Sequence, residues 1–279
     1  MRERESGDEF LYETLRTVSP GTTLYEGLES ILRARTGALI VVGDSEEVLK
    51  LVNGGFRIDS PTDPAALYEL AKMDGGIVLS RDAKQILYAN THLTPDPMIP
   101  TVETGTRHRT AERVARQTGE LVISISQRRS VITLYRGTMR YMLQDVGVIL
   151  TKANQALATL EKYKSVLEQA LTNLSALEFE DLATIGDVTT CLQRAQMVSR
   201  IAKEIEGYIA ELGSEGRLVS MQLDELMADI ENEGLLIVKD YYDRQDDRTH
   251  EDVWHDMERW SSEELLDLGR IARALGHGD

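Results

Sequence analysis

"ELVISISQRRSVITLYRG", residues 120 to 137, sets two runs of β-branched and apolar residues on either side of the polar turn "QRRS". Strand, turn and strand at this spacing predict an antiparallel pair. A second such pair lies upstream, where "GGIVLS" and "QILYAN" flank "RDAK" over residues 75 to 90. "GALIVVG", residues 37 to 43, reads as a short strand buried on both faces. Helical stretches alternate with these strands. Residues 10 to 35 form a helix pair broken at "SPGTT", and "TLYEGLESILRA" restarts a 3.6-residue period. "DPAALYELAKM" begins with Asp63 as N-cap and Pro64 at the first helical position. Hairpins mixed with helices predict an α/β fold with a mixed central β-sheet flanked by helices, not an all-parallel one.

From about residue 145 the strands stop. Leu150, Ala153, Leu157, Leu160, Leu167, Leu171 and Leu174 follow a three-four spacing, with Lys164 in the one polar slot. A second seam runs through Val188, Leu192, Ala195, Ala202, Ile205, Ile209 and Leu212, and a third, shorter one through Leu218, Met221 and Leu226. Such seams predict antiparallel helices packed as an all-α helical bundle. The last helical stretch opens with Ser261 and Glu264 at capping-box spacing and closes on Gly276. At 279 residues the chain suits two domains, 1–144 and 145–279.

Composition narrows the setting. Hydrophobic residues make up 42% of the chain, as in a globular protein. The longest apolar runs, such as "ALIVV", fall far short of the ~20 residues a membrane helix needs. "MRERESGDEF" has no apolar stretch after its charges, unlike a secretory signal. A lone Cys191 on the second seam suits a core position and a reducing compartment. A cytoplasmic protein without membrane contact is the expectation. The charge is unevenly spread. Residues 1 to 144 hold 18 Lys and Arg against 19 Asp and Glu, a net of −1; residues 145 to 279 hold 13 against 28, a net of −15, within a total of −16. Most of the second half would repel nucleic acid.

Against that background "TGTRHRTAER", residues 104 to 113, stands out. It reads as a loop running into a helix that stops at Gly119. A helix start offers unpaired N–H groups and the positive end of the macrodipole, and so favours an anion. Gly105 lets backbone approach a ligand, and Thr106 and Thr110 add hydroxyls. Arg107 and Arg109 cannot both face one site, so one of them is expected to face a neighbouring chain. Thirty residues earlier Asp74-Gly75-Gly76 opens a strand. A carboxylate there can hold Mg²⁺, and the glycines admit a base or a phosphate. Each motif also has a plain reading, as surface ion pairs and as an ordinary turn. Together they match what phosphoryl transfer needs. No glycine-rich loop before Lys-Ser or Lys-Thr occurs, and no GxGxxG opens a helix. His250 and His255, five apart, miss the spacing of two ligands on one helical face. Trp254 and Trp260 are expected to anchor helix packing.

With Asp74-Gly75-Gly76, then Gly105-Thr106-Arg107-His108-Arg109, then "SISQRR", the sequence resembles the diadenylate cyclase family over most of residues 10 to 143. The family pattern is Asp-Gly-Ala and Arg-His-Arg, so Gly76 replaces an alanine. The helical half resembles the linker of the members that scan DNA integrity. The resemblance implies joining of two ATP into cyclic di-AMP with release of two pyrophosphates. Asp74 would hold Mg²⁺ or Mn²⁺ against the α-phosphate, and Gly75 and Leu93 would line the adenine and ribose pocket. Thr106, Arg107, His108, Arg109 and Thr110 would hold phosphates, with His108 positional more than proton-carrying. Ser126 and Arg129 would reach the leaving pyrophosphate.

One site per domain and two nucleotides per product imply a homo-oligomer of face-to-face dimers; the resemblance suggests four of them, an octamer held by the helical half. Members that scan DNA continue into a helix-hairpin-helix domain, so DNA contact is expected only through a C-terminal domain absent from this sequence. A non-catalytic sensor of ATP or cyclic di-AMP, and a purely structural oligomer, are the alternatives.

Overall fold

The computed structural model describes residues 2–228, 230, 232–243 and 248–277. Its elements run α1 (Arg2–Thr17), α2 (Thr23–Arg33), β1 (Ala38–Val42), α3 (Glu46–Leu51), β2 (Val52–Asn53), β3 (Phe56–Pro61), α4 (Pro64–Ala71), β4 (Gly76–Leu79), β5 (Gln85–Leu93), α5 (Thr106–Thr118), β6 (Leu121–Ser126), β7 (Val131–Arg136) and β8 (Met139–Met142). Helices follow: α6 (Val146–Phe179), α7 (Ile185–Leu212), α8 (Arg217–Met227), α9 (Glu233–Tyr241), α10 (His250–Glu258), α11 (Ser262–Leu266) and α12 (Leu268–Ala274). The chain divides at Val146 into two compact units, and Ala210–Glu215 belong to the first.

The first unit is built on a mixed sheet in the order β2-β5-β4-β1-β6-β7-β8, with β3 also paired to β5. Only β1 and β4 run parallel; β4–β5, β6–β7 and β1–β6 are antiparallel. Strand β1 shows why the sheet is buried on both faces. Ala38, Ile40 and Val42 pack with Leu24, Leu28 and Ile31 of α2 and Leu67 of α4. Leu39 and Val41 pack with Val48 of α3 and Ala111, Val114 and Ala115 of α5. A continuous apolar run with period-two sidedness thus feeds a three-layer sandwich. Asp63 caps α4 by accepting from the Ala66 N–H, and Gly119 ends α5 in the left-handed region at φ 71. Ala210–Glu215 join this unit through the Tyr141 hydroxyl, which donates to Glu211 Oε2 at 2.6 Å, and the Ser214 N–H, which donates to the Pro20 carbonyl at 3.0 Å.

The second unit is built of helices joined by turns, with no strand among its described residues. The seam of α6 holds at Ala153, Leu157, Leu160, Leu167 and Leu174, but shifts by one residue at two positions. Ile149 and Ala170 are buried where Leu150 and Leu171 were expected. On α7 the expected positions are buried except Ile209, which is half-buried, and Cys191, Gln196 and Val198 are buried beside them. The third seam is corrected. Leu218 and Met221 are exposed, while Val219 and Leu223 face inward. Apolar residues on more than one side of an eleven-residue helix leave its phase undetermined by spacing alone. Ser261 and Glu264 form the capping box, but the helix breaks at Asp267, which caps α12 in turn. Trp254 is buried against Gly234, whereas Trp260 is half-buried and carries the Arg270 guanidinium on its ring.

Candidate functional site

A cavity of about 460 Å³ opens at the end of the sheet where β1 and β4 begin and β5 and β6 finish. In open parallel sheets ligands gather at the carboxyl ends of the strands. Here antiparallel neighbours bring their own ends to the opposite edge, and the loops that carry chemistry collect there. Asp74, Gly75, Gly76, Leu93, Thr106, Arg107, His108, Thr110 and Ser126 all line the cavity. Both signature motifs therefore open onto one space.

Each wall has a local cause. Gly75 sits so close to β5 that a Cβ would collide with the backbone of Asn90, itself left-handed at φ 54. The glycine is needed for strand packing before any ligand arrives. At Gly76 a Cβ would stand 3.2 Å from Leu93 Cδ1 and 3.4 Å from Thr91 Oγ1, a tight fit against side chains that can shift. Asp74, just ahead of β4, is fully exposed, with Oδ1 3.6 Å from Arg107 Nη2.

Helix α5 begins at the cavity. Its N-cap is Gly105, at φ −80 and ψ 136, and no side chain caps its first N–H groups. Those groups and the helix dipole make an anion site. The Arg107 guanidinium lies against the backbone of Gly37, in space that any side chain at 37 would fill. Residues two apart on a helix diverge by about 200°, so Arg109 is exposed and outside the cavity lining. In the β6–β7 turn the Arg129 N–H donates to Ser126 Oγ at 3.3 Å and the Ser130 N–H to the Ser126 carbonyl at 2.9 Å. That tight turn places Gln127 and Arg128 in the lining and leaves Arg129 outside it.

Behind the cavity wall lies a polar chain. The Tyr135 hydroxyl donates to Glu103 Oε1 at 2.9 Å and stands 2.9 Å from His108 Nδ1; Arg140 Nε donates to the same Glu103 oxygen at 2.6 Å. Tyr135 and Arg140 are direct cross-strand partners on β7 and β8. Burial lowers the His108 pKa, against the pull of Glu103 and with help from Arg129, Arg140 and Arg107. Burial alone would raise Glu103, but hydrogen bonds from Arg140 and Tyr135 outweigh it and hold the carboxyl low. Burial and the Glu103 charge push the Tyr135 phenol up. Gly37, Glu103 and Tyr135 carry no sequence motif of their own, whereas Arg128 lies within "SISQRR", where the reading went to its neighbour Arg129. An acidic residue two before Gly105, in a basic stretch, was the one available signal.

Residues 25–139 match the DisA bacterial checkpoint controller nucleotide-binding model, and residues 143–279 match the DisA bacterial checkpoint controller linker region. The chain is similar to the DNA integrity scanning protein DisA of Symbiobacterium thermophilum, at 62% identity over 267 residues, 96% of this chain and 76% of that protein. It is 60% identical to DisA of Carboxydothermus hydrogenoformans over 270 residues, 97% of this chain and 77% of that one. A crystal structure of DacA from Staphylococcus aureus superposes at TM-score 0.38 and 18% identity, covering 50% of this chain and 90% of that one. No helix among the described residues is long and apolar enough to cross a membrane.

Proposed function

This chain belongs to the DisA family of bacterial checkpoint controllers, and we propose that it is a diadenylate cyclase that condenses two ATP into cyclic di-AMP. The observation that carries this reading is the shared cavity of the two signatures, with the Asp74 carboxylate 3.6 Å from the Arg107 guanidinium. In the reaction each ribose 3′-oxygen forms a bond to the other nucleotide's α-phosphorus. The bond from that phosphorus to the bridging oxygen breaks, pyrophosphate leaves, and the hydroxyl proton passes to water. Catalysis of this kind is mostly positioning and charge stabilisation.

The chain's own groups supply those terms. The unpaired N–H groups of α5, the Thr106 hydroxyl and Arg107 would hold phosphate oxygens, and the Thr110 hydroxyl would join them on leaving the Thr106 carbonyl. Ser126 and Arg128 would meet the departing pyrophosphate, and Leu93 with Gly75 and Gly76 would leave room for the nucleoside. Asp74 suits a divalent ion, Mg²⁺ or Mn²⁺, held by one carboxylate together with substrate phosphates, because it is fully exposed at the cavity and the described residues hold no cluster of three candidate metal ligands. When bound, the ion would neutralise charge at the α-phosphate.

A cavity for one nucleotide and a product made of two call for two subunits face to face about a two-fold axis. We propose residues 1–144 as the catalytic domain and the helices from 145 onward as the scaffold for such pairs. Arg109, exposed on the first turn of α5, would then meet the partner subunit.

Incubation of the chain with ATP and Mg²⁺, followed by mass analysis, tests this. Cyclic di-AMP and two pyrophosphates per product are expected, and Asp74→Asn should stop release while much of the binding survives. Tight ATP binding without pyrophosphate would instead make the chain a nucleotide sensor.

A further inference from the structure

We propose that Glu103 and Tyr135 are positioning residues that hold His108 as its Nδ1–H tautomer, and so present Nε2 to the cavity as an electron-pair donor. The inference follows from counting hydrogens. A phenol has one. Glu103 Oε1 already takes Arg140 Nε at 2.6 Å and lies 2.9 Å from the Tyr135 oxygen. A carboxylate can only accept, so the phenol hydrogen goes to Glu103. The phenol oxygen is left with lone pairs alone, and His108 Nδ1, 2.9 Å away, must bring the hydrogen to that contact. In a neutral imidazole the other nitrogen is then bare. Among the described residues Nε2 makes no hydrogen bond, and the ring lines the cavity beside Gly105 and Arg107.

A bare nitrogen has a definite taste in ligands. It cannot donate to a phosphate oxygen, which also offers only lone pairs. It accepts from a hydroxyl or binds a divalent cation, both short of electrons. His108 is thereby set apart from Arg107, which can only donate, and from a phosphate-holding role. The effect on turnover rests on the cyclase reading; the tautomer does not.

The test is ¹⁵N NMR of the full chain labelled on its five histidines, with the His108 signals identified by their loss in His108→Asn. A protonated Nδ1 and a bare Nε2 are expected at neutral pH. Tyr135→Phe removes the acceptor, and Glu103→Leu removes the oxygen that takes the phenol hydrogen and so frees that hydrogen for Nδ1. Both should move His108 toward Nε2–H and lower kcat by about tenfold, the scale of losing a group that orients a histidine. KM for ATP should change by less than about threefold.

Should Tyr135→Phe fail to fold, Glu103→Leu, which keeps the Tyr135 hydroxyl, carries the test alone. A wild-type Nε2–H form, or an unmoved tautomer in the variants, overturns the proposal. Adding ATP or 3′-deoxy-ATP in EDTA, and Mn²⁺ alone, identifies the ligand. A shift with ATP but not its deoxy analogue assigns a ribose hydroxyl, and a response that needs Mn²⁺ assigns the cation. No response to any of them overturns the outward role of Nε2. A bare Nε2 in a chain that releases no pyrophosphate supports the tautomer and sinks the cyclase reading instead.

Discussion

Arg107 rests its guanidinium on the bare backbone of Gly37, and a methyl group at 37 would occupy the same space. The arginine that bridges toward Asp74 is therefore seated by a glycine seventy residues away in sequence. Gly37→Ala should leave the fold standing and turn Arg107 out of the cavity. Removing one charge-assisted contact of about 1.5–3 kcal/mol predicts a roughly 10- to 150-fold weaker affinity for a non-hydrolysable ATP analogue. Calorimetric titration reads this directly, and unchanged affinity would remove Gly37 from the site.

The two glycines after Asp74 should respond differently to the same methyl group. Gly75→Ala drives a Cβ into the Asn90 backbone and should cost several kcal/mol, of the order of a severe overpacking mutation. Gly76→Ala meets only Leu93 and Thr91 side chains at 3.2 to 3.4 Å, and should cost less than about 1.5 kcal/mol. Thermal melts of the two variants side by side would show the contrast. Equal losses would mean that β4 and β5 give way where the packing says they cannot.

Hairpins were legible because β-branched alternation and a polar turn declare themselves locally, as "ELVISIS" and "VITLYR" do. Strands β3 and β8 were not, since "FRIDSP" and "MRYM" are largely exposed and lack an apolar period. The two motifs at the cavity could be read from short, contiguous residue strings. Glu103, Tyr135 and Arg140 could not, because their meeting depends on the β7–β8 register rather than on nearness in sequence. Gly37 looked like a strand boundary, and only the path of a distant guanidinium gives it a task.

Acid should loosen the first unit through two groups whose pKa values lie below their ordinary ones. His108 is held below 6.5, chiefly by burial. The unfolded chain then binds more protons than the folded one as pH falls from 6.5, so stability declines from that point. Glu103, held below 4.5 because the Arg140 and Tyr135 hydrogen bonds exceed its burial cost, adds a second decline below 4.5. Melting temperature against pH should therefore fall in two stages, and His108→Gln should flatten the upper one. A wild-type curve that is level from pH 7 to 5 would contradict the His108 part.

Glu211 should matter to stability out of proportion to its distance from the cavity residues in sequence. Its buried carboxylate receives the Tyr141 hydroxyl at 2.6 Å and the Gln144 N–H at 3.1 Å. Glu211→Ala removes the acceptor for both and should cost about 1–3 kcal/mol. A fall of several degrees in melting temperature is expected, and Glu211→Gln, which still accepts through one oxygen, should recover part of it. Full stability in the alanine variant would show that the Ala210–Glu215 segment adds nothing to the first unit.

That segment has a consequence for synthesis. The first unit gains its last residues only when Ala210–Glu215 arrive, although its other residues end at Val146. At about 5–20 residues per second, the 63 residues between Val146 and Ala210 keep the ribosome busy for roughly 3 to 13 s. Throughout that interval the nascent sheet waits with Tyr141 and Pro20 missing their later partners. Translation speed along α6 and α7 thus sets how long an unfinished amino-terminal unit is open to chaperones or to a wrong neighbour.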